Sequence, residues 1–314
     1  MEYRRVGNSG LKVSEIGLGS WLTYGNSVQK DEAVAVIDRA YELGVNLFDT
    51  ADCYGDAEEV VGPALKRYRR SSYVLATKCF FPQGQGVNER GLSRKHIIES
   101  CERSLRRLGL DYVDIFYCHQ YDPETPIEET MMAFEDLIRQ GKVLYMGVSN
   151  WQALHITKAC RVADRYLLHK IICNQPPYNM FDRFIEKDIM ATSAENGIGQ
   201  ICFSPLAQGM LTGKYTSPDD IPEGSRASQE RFNGGITRMF TPDRFEKINA
   251  IRRIADGLGI PMAQLALAWV LRQPNVSSAL VGATSPSQIE MNVLASGYKL
   301  SLDTVAAIEQ ALKH

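Results

Sequence analysis

The sequence predicts an α/β fold, a closed (β/α)8 TIM barrel, on three observations. Short, almost wholly apolar segments alternate with segments of helical periodicity, the pattern of a parallel sheet buried on both faces. Eight such units fit into a chain of 314 residues, which favours one barrel domain over residues 1–314 rather than two domains. The glycine fingerprint of an open dinucleotide-binding sheet is only approached, by Gly17-Leu18-Gly19-Ser20-Trp21-Leu22, where leucine replaces the third glycine.

The elements are predicted in order from the N-terminus. Residues 2–6 and 12–14 flank a Gly-Asn-Ser-Gly turn and predict a β-hairpin. Gly44 is a suitable stop for the first helix and Ser93 a suitable N-cap for the third. The predicted strands are Glu15–Gly19, Val45–Asp49, Tyr73–Lys78, Val113–Tyr117, Val143–Gly147, Lys170–Asn174, Gly199–Phe203 and Ser277–Val281. The predicted helices are Asp31–Leu43, Glu58–Lys66, Ser93–Leu108, Ile127–Gln140, Trp151–Tyr166, Arg183–Asn196, Pro242–Leu258, Pro261–Arg272 and the C-terminal Pro286–Ala295 and Leu302–Leu312.

One long segment interrupts this alternation. Ala207–Thr241 has no clear periodicity and is too long for a simple connecting loop without a function in a compact barrel, so we expect a lid or a binding loop. It contains Lys214 and Arg226 in Gly- and Ser-rich surroundings. These are the ingredients of an anion-binding site, although a solvated basic pair is the alternative.

Composition excludes several classes of function. With 44% hydrophobic residues, 23% charged residues and a net charge of −2, the chain has no electrostatic footprint for nucleic acid or an anionic membrane. We expect neither a signal peptide nor a membrane span, since no apolar run approaches about 20 residues. Seven cysteines, an odd number without tight spacing, favour a reducing cytoplasm over a disulfide framework. None of the five histidines forms a His-x-His pair on an early strand, which argues against a metal-dependent hydrolase.

Polar side chains end three successive predicted strands. These residues are Asp49, Lys78 and His119, and Tyr54 lies in the loop after Asp49. Because the carboxyl ends of barrel strands form the reactive face, we expect the four side chains to meet there. Cys53 and Cys79 flank Tyr54 and Lys78. They could form a redox switch, but the simpler interpretation is that they are small space-filling residues.

These residues lie in motifs that resemble those of the aldo-keto reductases. The motifs are Asp49-Thr50-Ala51-Asp52-Cys53-Tyr54-Gly55, Thr77-Lys78, Tyr117-Cys118-His119 and Gly147-Val148-Ser149-Asn150-Trp151. The resemblance covers nearly the whole chain and is closest to the branch that includes potassium-channel β-subunits and related microbial reductases. The branch is indicated by Ser204-Pro205-Leu206-Ala207, Thr212-Gly213-Lys214-Tyr215 and Ser225-Arg226-Ala227-Ser228.

The resemblance implies a catalytic tetrad of Asp49, Tyr54, Lys78 and His119. Tyr54 would be the general acid, and the Lys78 ammonium beside it is expected to lower the pKa of the phenol. Asp49 would hold that ammonium in place, and His119 would donate a hydrogen bond to the substrate oxygen.

The resemblance also implies NADP as cofactor. Ser149, Asn150 and Gln175 are expected at the nicotinamide carboxamide, and Phe203 is expected to stack on the nicotinamide ring. The expected pyrophosphate contacts are Ser204, Leu206, Gly209 and Lys214, and the adenosine contacts are Thr284, Gln288 and Asn292. Other expected cofactor contacts are Ser20, Trp21, Asp49 and Gly282.

Recognition of the 2′-phosphate is assigned to the long segment. Arg226 offers a planar fork of donors and Lys214 a compact charge, which favours NADPH over NADH. The family glutamate expected one residue before Asn292 is Met291 here, so adenosine recognition is expected to depend more on Arg226 and Thr284.

The resemblance therefore predicts a cytoplasmic NADPH-dependent reductase of aldehydes or ketones, acting on a small-molecule carbonyl substrate. The alternative is an NADP(H)-binding regulatory subunit with little turnover and a channel-like partner; His119 favours the enzyme, because the channel branch has asparagine there. A homo-oligomer is compatible with either reading. Trp21, Tyr24, Phe80, Phe81 and Tyr121 suggest aromatic walls, which leave sugars, short aldehydes, α-dicarbonyls and aromatic aldehydes open as substrates.

Overall fold

The computed structural model of the chain describes residues 1–21, 29–230 and 233–313. Eight parallel strands close into a barrel in the order β10-β3-β4-β5-β6-β7-β8-β9, with β9 also paired to β10. This confirms the predicted (β/α)8 barrel. The barrel strands are β3 Ile16–Gly19, β4 Leu47–Asp49, β5 Val74–Cys79, β6 Val113–Cys118, β7 Val143–Ser149, β8 Ile171–Gln175, β9 Gly199–Cys202 and β10 Val276–Val281.

Helices surround the barrel and cover its outer face. Strands β4, β5, β6 and β10 are buried along their whole length, as expected of a parallel sheet packed on both faces. The described helices are α1 Lys30–Glu42, α2 Ala57–Leu65, α3 Arg94–Leu108, α4 Ile127–Arg139, α5 Ala153–Tyr166, α6 Ile189–Glu195, α7 Gly234–Thr237, α8 Pro242–Leu258, α9 Met262–Leu271, α10 Pro286–Val293 and α11 Leu302–Lys313.

The N-terminal hairpin closes the end of the barrel opposite the strand exits. Its strands, β1 Tyr3–Arg5 and β2 Lys12–Ser14, are antiparallel, as predicted. The Val6 and Val13 side chains are fully buried in the same apolar cluster as Ile115 and other residues of the barrel strands. The hairpin therefore fills the lower barrel with side chains and leaves the carboxyl ends of the strands for the site.

The predicted helix ends are confirmed where a local signal defines them. The Ser93 hydroxyl accepts a hydrogen bond from the His96 backbone N–H at 3.2 Å, as an N-cap does. Gly44 follows α1 with φ of +87°, a left-handed conformation that glycine adopts without steric cost.

The predicted continuous helix Arg183–Asn196 is wrong. The segment is split into a 3-10 turn, Phe184–Glu186, and α6, with Asp188 between them at φ −150°. Tertiary contacts accompany the break, because Arg183 pairs with Glu309 at 2.6 Å and Glu186 pairs with Arg272 at 3.6 Å. Local helical periodicity could not anticipate these contacts.

The long segment 207–241 is mostly irregular, as predicted. In its described part it contains the 3-10 turns Ala207–Thr212 and Arg226–Ser228 and the short helix α7. Within the described ranges, no single helix has the length and apolar composition needed to cross a membrane; only α8 and α9 taken together, across a 95° bend, do.

Candidate active site

The four predicted catalytic side chains lie together where three adjacent strands end. Asp49 is the last residue of β4, Lys78 is next to last in β5, and His119 directly follows β6. Tyr54 lies in the loop between β4 and α2. The parallel register pairs Asp49 with Ala76 and Lys78 with Tyr117, so these strand ends are at one level.

A buried ion pair forms the floor of the site. The Lys78 ammonium contacts Asp49 Oδ1 and donates a hydrogen bond to the Thr50 carbonyl at 2.8 Å. The Lys78 side chain is fully buried and that of Asp49 is 5% exposed. Burial raises the pKa of Asp49, while the Lys78 ammonium and the Gln175 amide act in the opposite direction.

Tyr54 and His119 are in direct contact above this pair. The Tyr54 hydroxyl lies 3.4 Å from His119 Nε2, and the rings meet edge to face. Desolvation lowers the pKa of His119 well below its usual value, and Lys78 lowers it further. The imidazole is therefore neutral near pH 7, with one ring nitrogen donating and the other accepting.

The pKa of Tyr54 is raised well above its usual value, which corrects the expectation that Lys78 lowers it. Desolvation is the largest cause, and the nearby Asp49 adds to it. Lys78 cannot offset these effects because its charge is already paired with Asp49. The phenol therefore keeps its proton in the site as described.

The two flanking cysteines are not thiolates. Cys53 retains accessible surface, but surrounding protein and the neighbouring Asp52 raise the pKa of its thiol to about 12. Its sulfur lies 3.8 Å from His119 Nδ1. Cys79 is buried, and its pKa is raised well above the usual value by desolvation. These properties favour the space-filling interpretation over a redox switch.

A buried polar cluster behind the Tyr54 loop was not predicted. Arg107 pairs with Glu58 at 3.0 Å and donates to the Asp52 carbonyl at 3.2 Å, and Thr77 donates to Glu58 at 2.6 Å. The Asp52 carboxyl oxygens are buried without a hydrogen-bond partner. Its pKa is raised to about 8 by burial and by Glu58. The sequence signal was the presence of Asp52 and Glu58, six positions apart, soon after the apolar strand that ends at Asp49.

The predicted carboxamide-binding residues lie at the ends of two neighbouring strands. The Ser149 hydroxyl donates to the Gln175 carbonyl at 2.8 Å, and the Asn150 amide donates to the Ser149 hydroxyl at 3.2 Å. The Gln175 side-chain amide donates to Asp49 Oδ2 at 2.8 Å. Ser20 lies beside them, with its backbone N–H bonded to the Asp49 carbonyl and its buried hydroxyl without a partner.

The predicted pyrophosphate loop has an unusual backbone. Ser204, Ala207, Gln208 and Gly209 all have positive φ, of 51°, 47°, 57° and 107°. Ala207, Gln208 and Gly209 are successive left-handed residues, and the backbone N–H groups of Ala207 and Gly209 are bonded within the loop, to the Ser204 and Leu206 carbonyls. Asn179, which was not predicted, supports the loop by donating to the Ser204 carbonyl at 3.0 Å.

Other predicted residues flank this loop. Phe203 directly follows β9 and bridges to Pro177, and Leu206 precedes the 3-10 turn Ala207–Thr212.

Lys214 and Arg226 form a cation pair. Surrounding protein lowers the pKa of both side chains, and the charge of Arg226 lowers that of Lys214 further. The Arg226 guanidinium lies 5.7 Å from the centroid of the Trp21 ring. In the part of the chain that the structure describes, neither cation has an acidic partner. Arg226 is partly buried whereas Lys214 is exposed, and two interacting positive charges without a counter-ion are suited to a bound anion.

The predicted adenosine residues lie at and beyond the end of β10. Gly282 directly follows that strand, and Thr284 and Gln288 bond to each other twice, at 2.9 Å each. Asn292 is buried in α10, whereas Met291 is exposed. Glu290, next to Met291, is paired with Arg39 of α1 at 2.7 Å.

Aromatic side chains surround the mouth of the site. The Phe81 ring meets His119 edge to face at a centroid distance of 4.9 Å and also packs on Phe80. Tyr121 stacks on His155 at 3.6 Å. The predicted mouth residue Tyr24 lies outside the described residues.

Fold and site together define the class of protein. A model of the Aldo/keto reductase family matches residues 15–313. The chain belongs to this family, as the motifs predicted.

Its relatives also confirm the predicted branch. The chain is 45% identical over 300 residues to a "Probable voltage-gated potassium channel subunit beta" of Arabidopsis thaliana, covering 94% of this chain and 91% of the relative. A protein of the same name from Oryza sativa subsp. japonica is 44% identical with the same coverage. A "Putative voltage-gated potassium channel subunit beta" of Schizosaccharomyces pombe is 42% identical over 322 residues, covering 99% of this chain and 93% of the relative.

Proposed function

We propose that this protein is an NADPH-dependent reductase that converts the carbonyl group of an aldehyde or ketone to an alcohol. The observation that carries the proposal is the contact between the Tyr54 hydroxyl and His119 Nε2, 3.4 Å apart, above the buried Asp49–Lys78 pair. This arrangement supplies a proton donor, a neutral hydrogen-bond donor and a fixed cation around one point.

The chain's residues act on the carbonyl oxygen. When bound, NADPH supplies the hydride that reduces the carbonyl carbon. Tyr54 transfers its phenolic proton to the oxygen as negative charge develops there, and the raised pKa keeps that proton available. His119 donates a hydrogen bond to the same oxygen, and the Lys78 ammonium stabilises the phenolate left behind. Tyr54 then regains a proton from solvent.

The tautomer of His119 follows from its second contact. Nε2 must carry the ring hydrogen to donate to the substrate, so Nδ1 must accept. The Cys53 sulfur lies 3.8 Å from Nδ1, and its raised pKa keeps the thiol protonated as a weak donor.

The residues present fit the dinucleotide. Gln175, Asn150 and Ser149 would hold the carboxamide, with Ser20 and Asp49 beside them, and Phe203 would stack on the ring. The interacting cations Lys214 and Arg226 support a phosphate ligand, and Gly209, which lies beside the Lys214 side chain, would contact the pyrophosphate. Further contacts would come from Trp21, Ser204, Leu206, Gly282, Thr284, Gln288 and Asn292.

The proposal is tested by NADPH oxidation over a panel of sugars, short aldehydes, α-dicarbonyls and aromatic aldehydes, with the alcohol product identified. We expect at least one class to give carbonyl-dependent oxidation and a matching amount of alcohol. Tight NADPH binding without turnover on any class would contradict a reductase.

That outcome would instead favour a second candidate. Three relatives that match over nine-tenths of this chain are named probable or putative voltage-gated potassium channel subunits beta. Under this candidate the chain binds NADP(H) as a regulatory subunit and a channel protein is its partner.

A further inference from the structure

Gln175 contacts Asp49 across the whole width of the barrel. Its strand, β8, and the strand of Asp49, β4, are four places apart in a ring of eight strands and therefore face each other. The amide Nε2 nevertheless lies 2.8 Å from Asp49 Oδ2. A hydrogen bond between opposite strands is independent of the sheet's own pairing and depends on the two side chains.

The two oxygens of Asp49 have separate partners. Oδ1 contacts the Lys78 ammonium and Oδ2 accepts from Gln175. All three side chains are nearly inaccessible, with Gln175 at 2% and Lys78 at 0% exposed. Water cannot replace either partner, so loss of one would leave a buried oxygen unsatisfied.

We propose that Gln175 is a positioning residue for the catalytic ion pair, holding the Asp49 carboxylate so that Lys78 remains beside Tyr54. The inference rests on the proposed function for its catalytic consequence and goes beyond carboxamide binding, the only role that the family resemblance implies for Gln175. An amide carries a donor and an acceptor, so both purposes are compatible: the Nε2 of Gln175 donates to Asp49, and its side chain also interacts with Tyr117.

The electrostatic surroundings of Asp49 support this role. The titratable groups that interact with its carboxyl are Lys78 of β5, Tyr117 of β6, Cys173 of β8 and Tyr54 of the following loop. Lys78 is the only cation in this described set. The Gln175 amide is the other group that favours the ionised form of Asp49 against desolvation. Removing it should therefore raise the pKa of Asp49.

The test measures Asp49 directly and needs no turnover. Carboxyl-carbon NMR of aspartate-labelled protein, with the Asp49 signal identified by its loss in Asp49→Asn, gives a titration midpoint without cofactor. We expect Gln175→Met, which conserves volume, to move that midpoint upward by at least about one pH unit. Gln175→Glu conserves shape but replaces the donor with a second carboxyl that shares a proton with Asp49, so it should also raise the midpoint and remains informative if the first variant does not fold.

The matched control is Asn150→Gly. This change removes another predicted carboxamide contact, and glycine accepts the φ of +57° at this position. We expect Asn150→Gly to weaken NADPH binding without moving the titration midpoint of Asp49. Gln175→Met, in contrast, should also lower kcat at least about tenfold, and this loss of kcat should grow as the pH falls.

An Asp49 titration that is the same in wild type and both Gln175 variants would overturn the inference and leave Gln175 as a carboxamide contact only. The NMR midpoint is independent of the reductase assignment. Absence of carbonyl reduction by the wild type would therefore contradict the proposed function but not the Asp49–Gln175 coupling.

Discussion

The Lys78 ammonium lies 4.9 Å from the centroid of the Tyr54 ring, while its ion pair is made with Asp49. The cation is therefore near the phenol but already neutralised. The position of Lys78 relative to Tyr54 matters most when negative charge develops on the phenol during proton transfer.

Replacement of this lysine should affect rate, pH profile and stability. We expect Lys78→Met to lower kcat by about 10² to 10⁴, comparable to loss of a positioned proton donor. Without the cation the pKa of Tyr54 rises further, so the alkaline limb of the pH–rate profile should flatten. Leaving Asp49 buried without its partner should lower the free energy of unfolding by about 3–5 kcal/mol.

The control for this prediction is Lys66→Met, because Lys66 is exposed at the end of α2. It should change none of the three measurements. An alkaline limb in Lys78→Met that coincides with wild type would exclude coupling between Lys78 and Tyr54.

Cofactor preference should depend on Arg226. We expect Arg226→Ala to raise the Kd for NADPH about ten- to a hundredfold with little effect on NADH, because a charge-assisted contact contributes about 1.5–3 kcal/mol and NADH has no 2′-phosphate. The matched control is Arg238→Ala, an exposed arginine in the same segment. An equal loss of affinity for both cofactors would place Arg226 at the pyrophosphate. An unchanged affinity for both would mean that Arg226 is a solvated side chain that does not contact the cofactor.

The buried Asp52 predicts a pH dependence of stability. Its pKa is raised from 3.8 to about 8 in the folded protein, so the native state keeps a proton that the unfolded chain releases at lower pH. This contribution is complete below the unfolded pKa and is lost as the pH rises through about 8. Arg107 can neutralise only one of the Asp52 and Glu58 carboxylates.

We expect Asp52→Asn to flatten the fall in the unfolding free energy between about pH 5 and pH 7.5, with a limit of about 1.4 kcal/mol per pH unit for one proton. Denaturant titrations at several pH values measure this slope. Asp56→Asn, on the exposed part of the same loop, should leave it unchanged. A slope equal to that of wild type in Asp52→Asn would mean that Asp52 is ionised throughout this range.

Local sequence patterns predicted the barrel because each strand is apolar along its length and each turn carries its own signal. The same reasoning brought Asp49, Lys78 and His119 together, since adjacent parallel strands end at one edge. It failed for the segment beginning at Arg183, where Arg183 pairs with Glu309 and Glu186 pairs with Arg272, both distant in the sequence.

The pKa shifts and long-range contacts of the site could not be predicted from the sequence either. The direction of the Tyr54 pKa shift depends on how far burial outweighs a paired cation, which only the packed structure defines. The Gln175–Asp49 contact joins residues 126 positions apart on opposite strands and has no local signature.

The general-acid role of Tyr54 is the central claim, and Tyr54→Phe tests it most directly. The turnover number is measured on the best substrate of the carbonyl panel, and the Kd for NADPH is measured on the same preparation. Tyr68→Phe, which removes a partly buried hydroxyl bonded to Asp38 away from the site, is the matched control. We predict that Tyr54→Phe lowers the turnover number by at least about a hundredfold while the Kd for NADPH stays within about threefold of wild type, since the phenol acts on the substrate oxygen. A variant that keeps more than about a tenth of the wild-type rate would contradict the assignment, because positioned proton transfer contributes about 10² to 10⁴.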